Sequence, residues 1–401
     1  EGEVVMEDET LNLSGQLQSD GPALISFLQA MPEVDLSRLS DLRVTGGVNG
    51  DIALSLPLAN PEALQLEINA QPRFPEVVYQ PLDLRLQSVE GDLAWLQDGE
   101  RSGLVGEASG QLLGGSINAD INTQRNGIQL QGRVATGALF GLAGVDDSQG
   151  RMPLEGPLEW QGSVALTPTP TLRLESRLVG VTSHLPEPFA KTPQQAWPWT
   201  LTADMDTQRI ESRLTDIASA RLQQLNGSFA GSLNLGSQAE RLPGWPTQPG
   251  FSLNAAVPRL DPLAWQQAIA PLMAGGAPGE PNAGTQSPLA VSLTTPCVVY
   301  QGECLGSLNA SGGINAGLID LGLSGNLVTG RVNYDAQSPQ PLDVAIEALA
   351  LDRLLALANV EHDSDAPMPD SWMGSVETQL KEPVAIPDWL ADVPNGRLRL
   401  A

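Results

Sequence analysis

The sequence predicts a mostly β protein: one long antiparallel sheet, curled lengthwise so that its apolar face lines a groove, with a few short helices. Three observations predict it. Apolar residues recur with a period of two, which puts them on one face of a strand and the intervening polar residues on the other. Turn formers separate these runs at short intervals, with 41 Gly and 32 Pro among 401 residues. Helical spacing is rare, so there are too few helices to cover a large sheet.

The elements follow in chain order. Pro22 to Met31 has the spacing of a short helix. Ile52, Leu54, Leu56 and Leu58 then alternate with Ala53, Ser55 and Pro57, and Leu64, Leu66 and Ile68 with Gln65 and Glu67. Leu82, Leu84 and Leu86 alternate with Asp83, Arg85 and Gln87. Ile128 and Leu130 continue in step to Gly132 and Val134, followed by Leu158, Trp160, Val164 and Leu166, then Leu172, Leu174 and Leu178. Phe251 and Leu253, Leu289 to Leu293, and Val344 and Ile346 extend the pattern. Asn60-Pro61, Asp98-Gly99 and Asn226-Gly227 read as turns, and Asn126-Gly127 as a two-residue hairpin loop, because both positions tolerate positive φ. Asp261 as N-cap and Pro262 at N1 start a helix over 261–272, and a third helix is expected near 350–359. The chain thus divides into a sheet segment 1–240, a Pro/Gly-rich linker 241–284 carrying the second helix, and a continuing sheet segment 285–401.

An apolar strand face must pack on something. A sandwich core usually holds larger aromatics than a 4% aromatic content supplies. A β-helix needs a short fixed repeat, which is absent. A membrane barrel carries aromatic girdles and tolerates few strand prolines. The curled sheet fits the pattern best, and it places Ile52, Leu54, Leu56, Leu64, Leu66, Ile68, Leu82, Leu84, Leu86, Ile128, Leu130, Leu158, Trp160, Leu172 and Leu174 along an apolar channel.

The net charge is −26, and only two of the bases are lysines, Lys191 and Lys381. Nucleic-acid binding needs clustered Lys and Arg and is excluded as a class. No run approaches the roughly 20 apolar residues of a spanning helix. The opening Glu1-Gly2-Glu3-Val4-Val5 and the closing Gly396 to Ala401 both read as patterned sequence, as expected of a piece of a longer protein. Cys297 and Cys304 flank Gln301-Gly302, where a hairpin would set the thiols opposite each other for a disulfide in an oxidising compartment; two separate buried thiols are the other reading. Catalytic signatures are missing: there is no phosphate loop, nucleophile elbow or His-Glu-x-x-His, and there are two histidines in all. Asp146-Asp147 and Asp363 with Asp365 lack an EF-loop pattern and read as turn acids, so no metal or cofactor is expected. The tryptophans, including Trp197-Pro198-Trp199, read as fillers of a thin apolar layer rather than as a sugar platform.

The run Ser176 to Lys191, with Leu185-Pro186-Glu187-Pro188-Phe189-Ala190-Lys191 at its end, resembles a stretch of the YhdP branch of AsmA-like envelope proteins. Val89 to Trp95, Leu154 to Trp160 and Leu260 to Trp265 are similar to flanking strands and a helix start of that branch. The resemblance covers about residues 40 to 355 and fades after Val360. It implies a periplasmic, taco-like repeating β-groove, anchored in the inner membrane of a Gram-negative bacterium by an N-terminal helix outside this chain. It further implies a non-enzymatic conduit for phospholipid acyl chains between inner and outer membranes, with outer-membrane or periplasmic proteins as further partners. A structural or adhesive β-rich surface protein with a closed core is the alternative, and a β-fold carbohydrate-active enzyme a more distant one.

Overall fold

A computed structural model of the chain describes residues 2–7, 9–29, 41–80, 84–99, 101–142, 152–225, 227–274, 288–315, 318–335, 337–338, 341–350 and 397–400. The third expected helix, Leu82, the Asp146-Asp147 pair and His362 to Pro367 lie outside them. The chain divides into two compact units, Glu1–Thr215 with Gln267–Pro278, and Asp216–Gln266 with Gly279–Ala401.

The first unit is built from β1 (Gly2–Glu7), β2 (Thr10–Asp20), β3 (Leu42–Pro57), β4 (Gln65–Tyr79), β5 (Leu84–Asp98), β6 (Arg101–Leu112), β7 (Gly115–Asn122), β8 (Gly127–Ala135), β9 (Leu154–Glu155), β10 (Pro157–Ala165), β11 (Thr171–Ser176), β12 (Thr182–Ser183), β13 (Trp199–Asp204) and β14 (Arg209–Leu214). Each strand from β1 to β8 pairs with the next, and β10, β11, β13 and β14 extend the same sheet, every pair antiparallel. No pairing joins β1 to β14 among the described residues, so the sheet is open. The two-residue strands β9 and β12 pair with each other.

The connections fall unequally on the two rims of this sheet. One rim has only short turns: a 3-10 turn at Pro61–Ala63, another at Thr123–Arg125, and the bends at 166–170 and 205–208. Asn126-Gly127 is not a two-residue loop. Asn126 alone is left-handed, closing the 3-10 turn at φ 56°, and Gly127 already belongs to β8. The Asn126 side chain decides this by locking the neighbouring turn. Its Oδ1 accepts from the Leu166 and Thr167 amides at 3.0 and 2.8 Å, and its Nδ2 donates to the Thr167 carbonyl at 2.8 Å.

The other rim carries the long connections, among them α1 (Gly21–Gln29), α2 (Thr136–Leu142) and the segment 177–198. The Asp20 carboxylate caps α1 by accepting from the Ala23 amide at 2.8 Å. The α2 helix was not foreseen; seven residues give too little periodicity to register.

The second unit contains β15 (Ala218–Leu225), β16 (Ser228–Gly236), β17 (Phe251–Ala256), the start of α3 (Pro262–Ala274), β18 (Leu289–Tyr300), β19 (Glu303–Asn315), β20 (Leu318–Ser324), β21 (Val328–Asp335), β22 (Leu342–Leu349) and β23 (Arg397–Leu400). The pairing is mostly antiparallel, as expected, but β16–β17, β17–β18 and β22–β23 are parallel, which makes the sheet mixed. Parallel neighbours need a crossover longer than a hairpin, and the Pro/Gly-rich stretches supply it. The first of them, read from composition as part of a linker, is fixed to the sheet. The Arg241 carbonyl accepts from Ser219 Oγ and Asn234 Nδ2, both at 2.9 Å, the Pro243 carbonyl accepts from Arg221, and the Arg221 guanidinium lies 4.7 Å from the centre of the Trp245 ring. The α3 helix starts as the sequence indicates, with Asp261 Oδ1 accepting from the Leu263 and Ala264 amides at 3.1 and 3.0 Å.

Candidate functional site

In an antiparallel ladder, residues directly opposite each other share a face. The register of the first unit therefore assembles rows that cross the whole sheet. One runs Leu17, Gly50, Ala70, Leu93, Gly106, Ile121, Ile128, Val164, Leu172, Ala203, Ile210, from β2 to β14, with no polar side chain in it. The next runs Gly91, Ala108, Ala119, Leu130, Gly162, Leu174, Leu201. Gly15, Ile52, Ile68, Trp95, Leu104 and Leu13, Leu54, Leu66 form shorter rows beside them.

The expected channel residues fall into these rows as follows. Ile52 faces Ile68, Leu54 faces Leu66, and Leu56 faces Leu11. Leu84 faces Tyr79, and Leu86 faces both Val77 and Leu112. Ile128 and Leu172 flank Val164, Leu130 and Leu174 flank Gly162, and Trp160 faces Gly132. All of these are half-buried. Leu64 lies just ahead of β4, its carbonyl accepting from the Gly99 amide. Leu158 differs: it is 7% exposed, packed with Val134 and Val181 under Leu154 and Leu178.

The second unit repeats the arrangement. Ala220, Leu233, Leu253, Val291, Gly312, Leu321, Val332 and Val344 form one row, and Leu222, Gly231, Phe251, Leu289, Ile314, Ile319, Tyr334 and Leu342 another. The alternating face is a ladder of small polar groups, in which Ser252 donates to Ser232 at 3.0 Å and Asn254 to Asn234 at 3.3 Å.

On the opposite face of the first unit, polar rows line an open concavity of about 1330 Å³. Its wall includes Arg73, Glu90, Asp92, Glu107, Asp120 and Arg173 and holds no aromatic ring or histidine. Of the expected channel residues only Leu130 borders it. Asp92, Glu107 and Asp120 stand opposite one another on adjacent strands, a like-charge arrangement that disfavours the sheet slightly. Arg173 is engaged by Glu175 at 2.7 Å.

Segment 177–198 folds over the rim near Leu158. Its core is Val181 and Phe189, and its pin is Lys191, 4% exposed. The Lys191 ammonium donates to the carbonyls of Val181 at 2.6 Å and Thr192 at 3.1 Å, while its backbone bonds Ser183 in both directions. Burial holds this amine below its ordinary value of 10.5. The native state therefore releases a proton that the unfolded chain keeps, so stability rises with pH from the lowered native value up to 10.5 and is lost as pH falls through that window. Lys191→Met is expected to abolish this rise. It also leaves two carbonyls without their donor, at about 1–3 kcal/mol. Denaturant titrations across that pH range check both; an unchanged pH slope counts against a desolvated amine.

Cys297 and Cys304 are joined in the structure, their Cα atoms 5.4 Å apart, across a hairpin that turns at Gln301-Gly302 with both residues at positive φ. Cys297 sits at a bulge in β18, where its carbonyl accepts from the Leu260 amide at 2.9 Å. A loop this short is worth roughly 2 kcal/mol in the chain-entropy picture. Reductant, or Cys297→Ser with Cys304→Ser, should lower unfolding stability by about that amount; no difference between oxidised and reduced protein would contradict a structural role.

The tryptophans occupy separate places. Trp95 and Trp160 sit in apolar rows, Trp199 donates to Ser212 at 2.9 Å, and Trp245 stacks with Arg221. His184 lies 3.3 Å from Glu155 at the surface. Among the described residues no group of His, Cys, Asp and Glu is placed to hold a metal, and no helix is long and apolar enough to cross a membrane.

Residues 4–388 match the family model described as YhdP protein. No curated protein and no solved structure matches the chain. The matched family is associated with the envelope of Gram-negative bacteria and is not known as an enzyme family. Matched over nearly its whole length, the chain belongs to the YhdP family.

Proposed function

We propose that this chain is a segment of a non-enzymatic conduit that carries phospholipid acyl chains along its apolar rows between the inner and outer membranes. One observation carries the reading. The rows form a continuous apolar face whose central members are only partly buried, where a closed core would bury them fully. Each methylene taken from water onto such a face gains about 0.8 kcal/mol. Aliphatic side chains without a deep polar site suit passage better than retention. Family membership is consistent with lipid transport.

In this reading each unit offers its own apolar rows to acyl chains, the polar rows face the aqueous periplasm, and an N-terminal anchor in the longer protein holds it at the inner membrane. The adhesive alternative needs a sealed apolar face. The carbohydrate alternative needs stacking rings in the concavity, whose wall has none. Purification of the chain from a bacterial periplasm without detergent, followed by native mass spectrometry, tests the proposal. Bound diacyl phospholipid is the expected result; folded protein free of lipid, and unable to take it from vesicles, contradicts it.

A further inference from the structure

The hairpin that carries the Cys297–Cys304 disulfide also holds a second piece of chain, and its two cysteines differ in access. Past Thr295 the β18–β19 register shifts twice, between Thr295 and Val298 and between Val298 and Val299. The Thr295 side chain, 1% exposed, shapes this bulge. Its hydroxyl donates to the Cys297 carbonyl at 3.1 Å and accepts from the Cys297 amide at 3.2 Å. A bulge takes backbone groups out of the regular ladder. Here those groups meet the crossover that leaves β17. The Leu260 amide donates to the Cys297 carbonyl at 2.9 Å, the Val299 amide to the Leu260 carbonyl at 2.7 Å, and the Val257 amide to the Thr294 carbonyl at 3.1 Å. Arg259 reaches the Gly302 carbonyl at the turn, at 3.3 Å. Asp261, directly after Leu260, is the cap that starts α3.

The disulfide is the covalent closure of this clasp. Cys304 is exposed and Cys297 half-buried, while their neighbours Val298, Val299 and Leu305 are buried. The hairpin is thus anchored by apolar side chains and open to solvent at Cys304. Exposed disulfides are the ones that exchange readily with thiols. Both cysteines lie beyond Leu289 and Val291, the members that β18 gives to the apolar rows.

We infer that this disulfide is a reversible redox site, entered at Cys304 by the dithiol of a thiol–disulfide oxidoreductase, and that its reduction frees the 257–261 crossover and the first turn of α3. A thiolate of the dithiol attacks the Cys304 sulfur. The bond between the cysteines breaks with its electron pair on Cys297, which takes up a proton. The second thiol then attacks the mixed disulfide, closes the reagent's own disulfide and releases Cys304 as a thiol. The protein is reduced and the dithiol oxidised. Without the cross-link the bulge has no covalent tie to β19, and the Leu260 bonds open as a local unit. The redox state of the compartment then sets the order of the crossover while the apolar rows stay paired.

The test follows amide exchange of the whole chain, oxidised and after dithiothreitol, over a series of low urea concentrations. On reduction the Leu260 and Val299 amides should exchange at least about tenfold faster, at a rate independent of urea, as local opening requires. Oxidised glutathione should restore their protection. An unchanged rate at Leu260, or one that rises with urea like the rest of the unit, overturns the clasp and leaves the disulfide a global staple. A disulfide that resists dithiothreitol in the folded chain overturns the redox site itself. Single variants exposed to oxidised glutathione locate the point of entry. Cys297→Ser, which keeps Cys304, should form the mixed disulfide about tenfold faster than Cys304→Ser. Equal rates, or the reverse order, overturn entry at Cys304.

Discussion

Leu130→Asp is expected to leave the first unit folded and to reduce lipid retention at least tenfold. Leu130 lies mid-row between Ala119 and Gly162 and is half-buried. In a closed core, an unpaired carboxylate at this position would cost several kcal/mol and unfold the unit. On an open face the new charge keeps most of its water, so the stability loss is about 1 kcal/mol, near the centre of measured point-mutant effects. The acyl path fares worse, because the chain must pass a hydrated charge instead of an aliphatic surface. A penalty of only about 1.4 kcal/mol at that step already gives the tenfold loss. Thermal unfolding and vesicle-to-protein lipid transfer, measured on the same preparation, separate the two effects. Collapse of the fold would favour a sealed core.

Gly106→Val is expected to destabilise the first unit strongly, by about 3 kcal/mol or more. Gly106 has φ +139°, and a Cβ there would stand 2.2 Å from the Asp92 carbonyl oxygen and 2.9 Å from the Leu93 Cα. Positive φ alone costs a branched residue about 1–3 kcal/mol, and the clash with backbone adds to it because neither strand can yield without breaking the ladder. The position also belongs to the long apolar row, so the substitution strikes the site and the sheet together. Gly127→Ala is the control. Its added methyl would meet nothing closer than 3.9 Å, and its effect should stay within about 1 kcal/mol. Urea unfolding of the two variants gives the contrast.

Most of the sheet was legible in the sequence because alternation and burial have the same period. Ile52 to Leu56, Leu66 and Ile68, and Leu172 with Leu174 show on their own which face they take, and the register sets them in line. Legibility failed where the period breaks. In β5 the pairing slips between Gln87 and Glu90, with Ser88 at φ 51°, so the apolar phase passes from Leu84 and Leu86 to Leu93 and Trp95. Leu93 and Trp95 therefore escaped a reading that followed a single phase. Ile117 and Ile121 sit among Asn, Ala and Asp, where small residues dilute the alternation, although their register places them beside Gly110 and Gly106. The parallel pairs β16–β17 and β17–β18 depend on how the chain crosses over, and composition reports only that a crossover is rich in Pro and Gly. The concavity over the polar rows arises from the bending of the sheet, which no local pattern encodes.

The central claim is that one face of the sheet is apolar, open and reached by acyl chains, while the other is wet. Spin labels at Leu172→Cys and Arg173→Cys test it most directly, because these neighbours point to opposite faces of β11. Collisional relaxation is measured with a water-soluble nickel chelate and, separately, with a phospholipid carrying a nitroxide on its acyl chain. The account predicts strong relaxation at 172 by the labelled lipid and strong relaxation at 173 by the chelate alone. A label at 172 shielded from both reagents, as in a sealed core, or equal responses at the two positions, would contradict it.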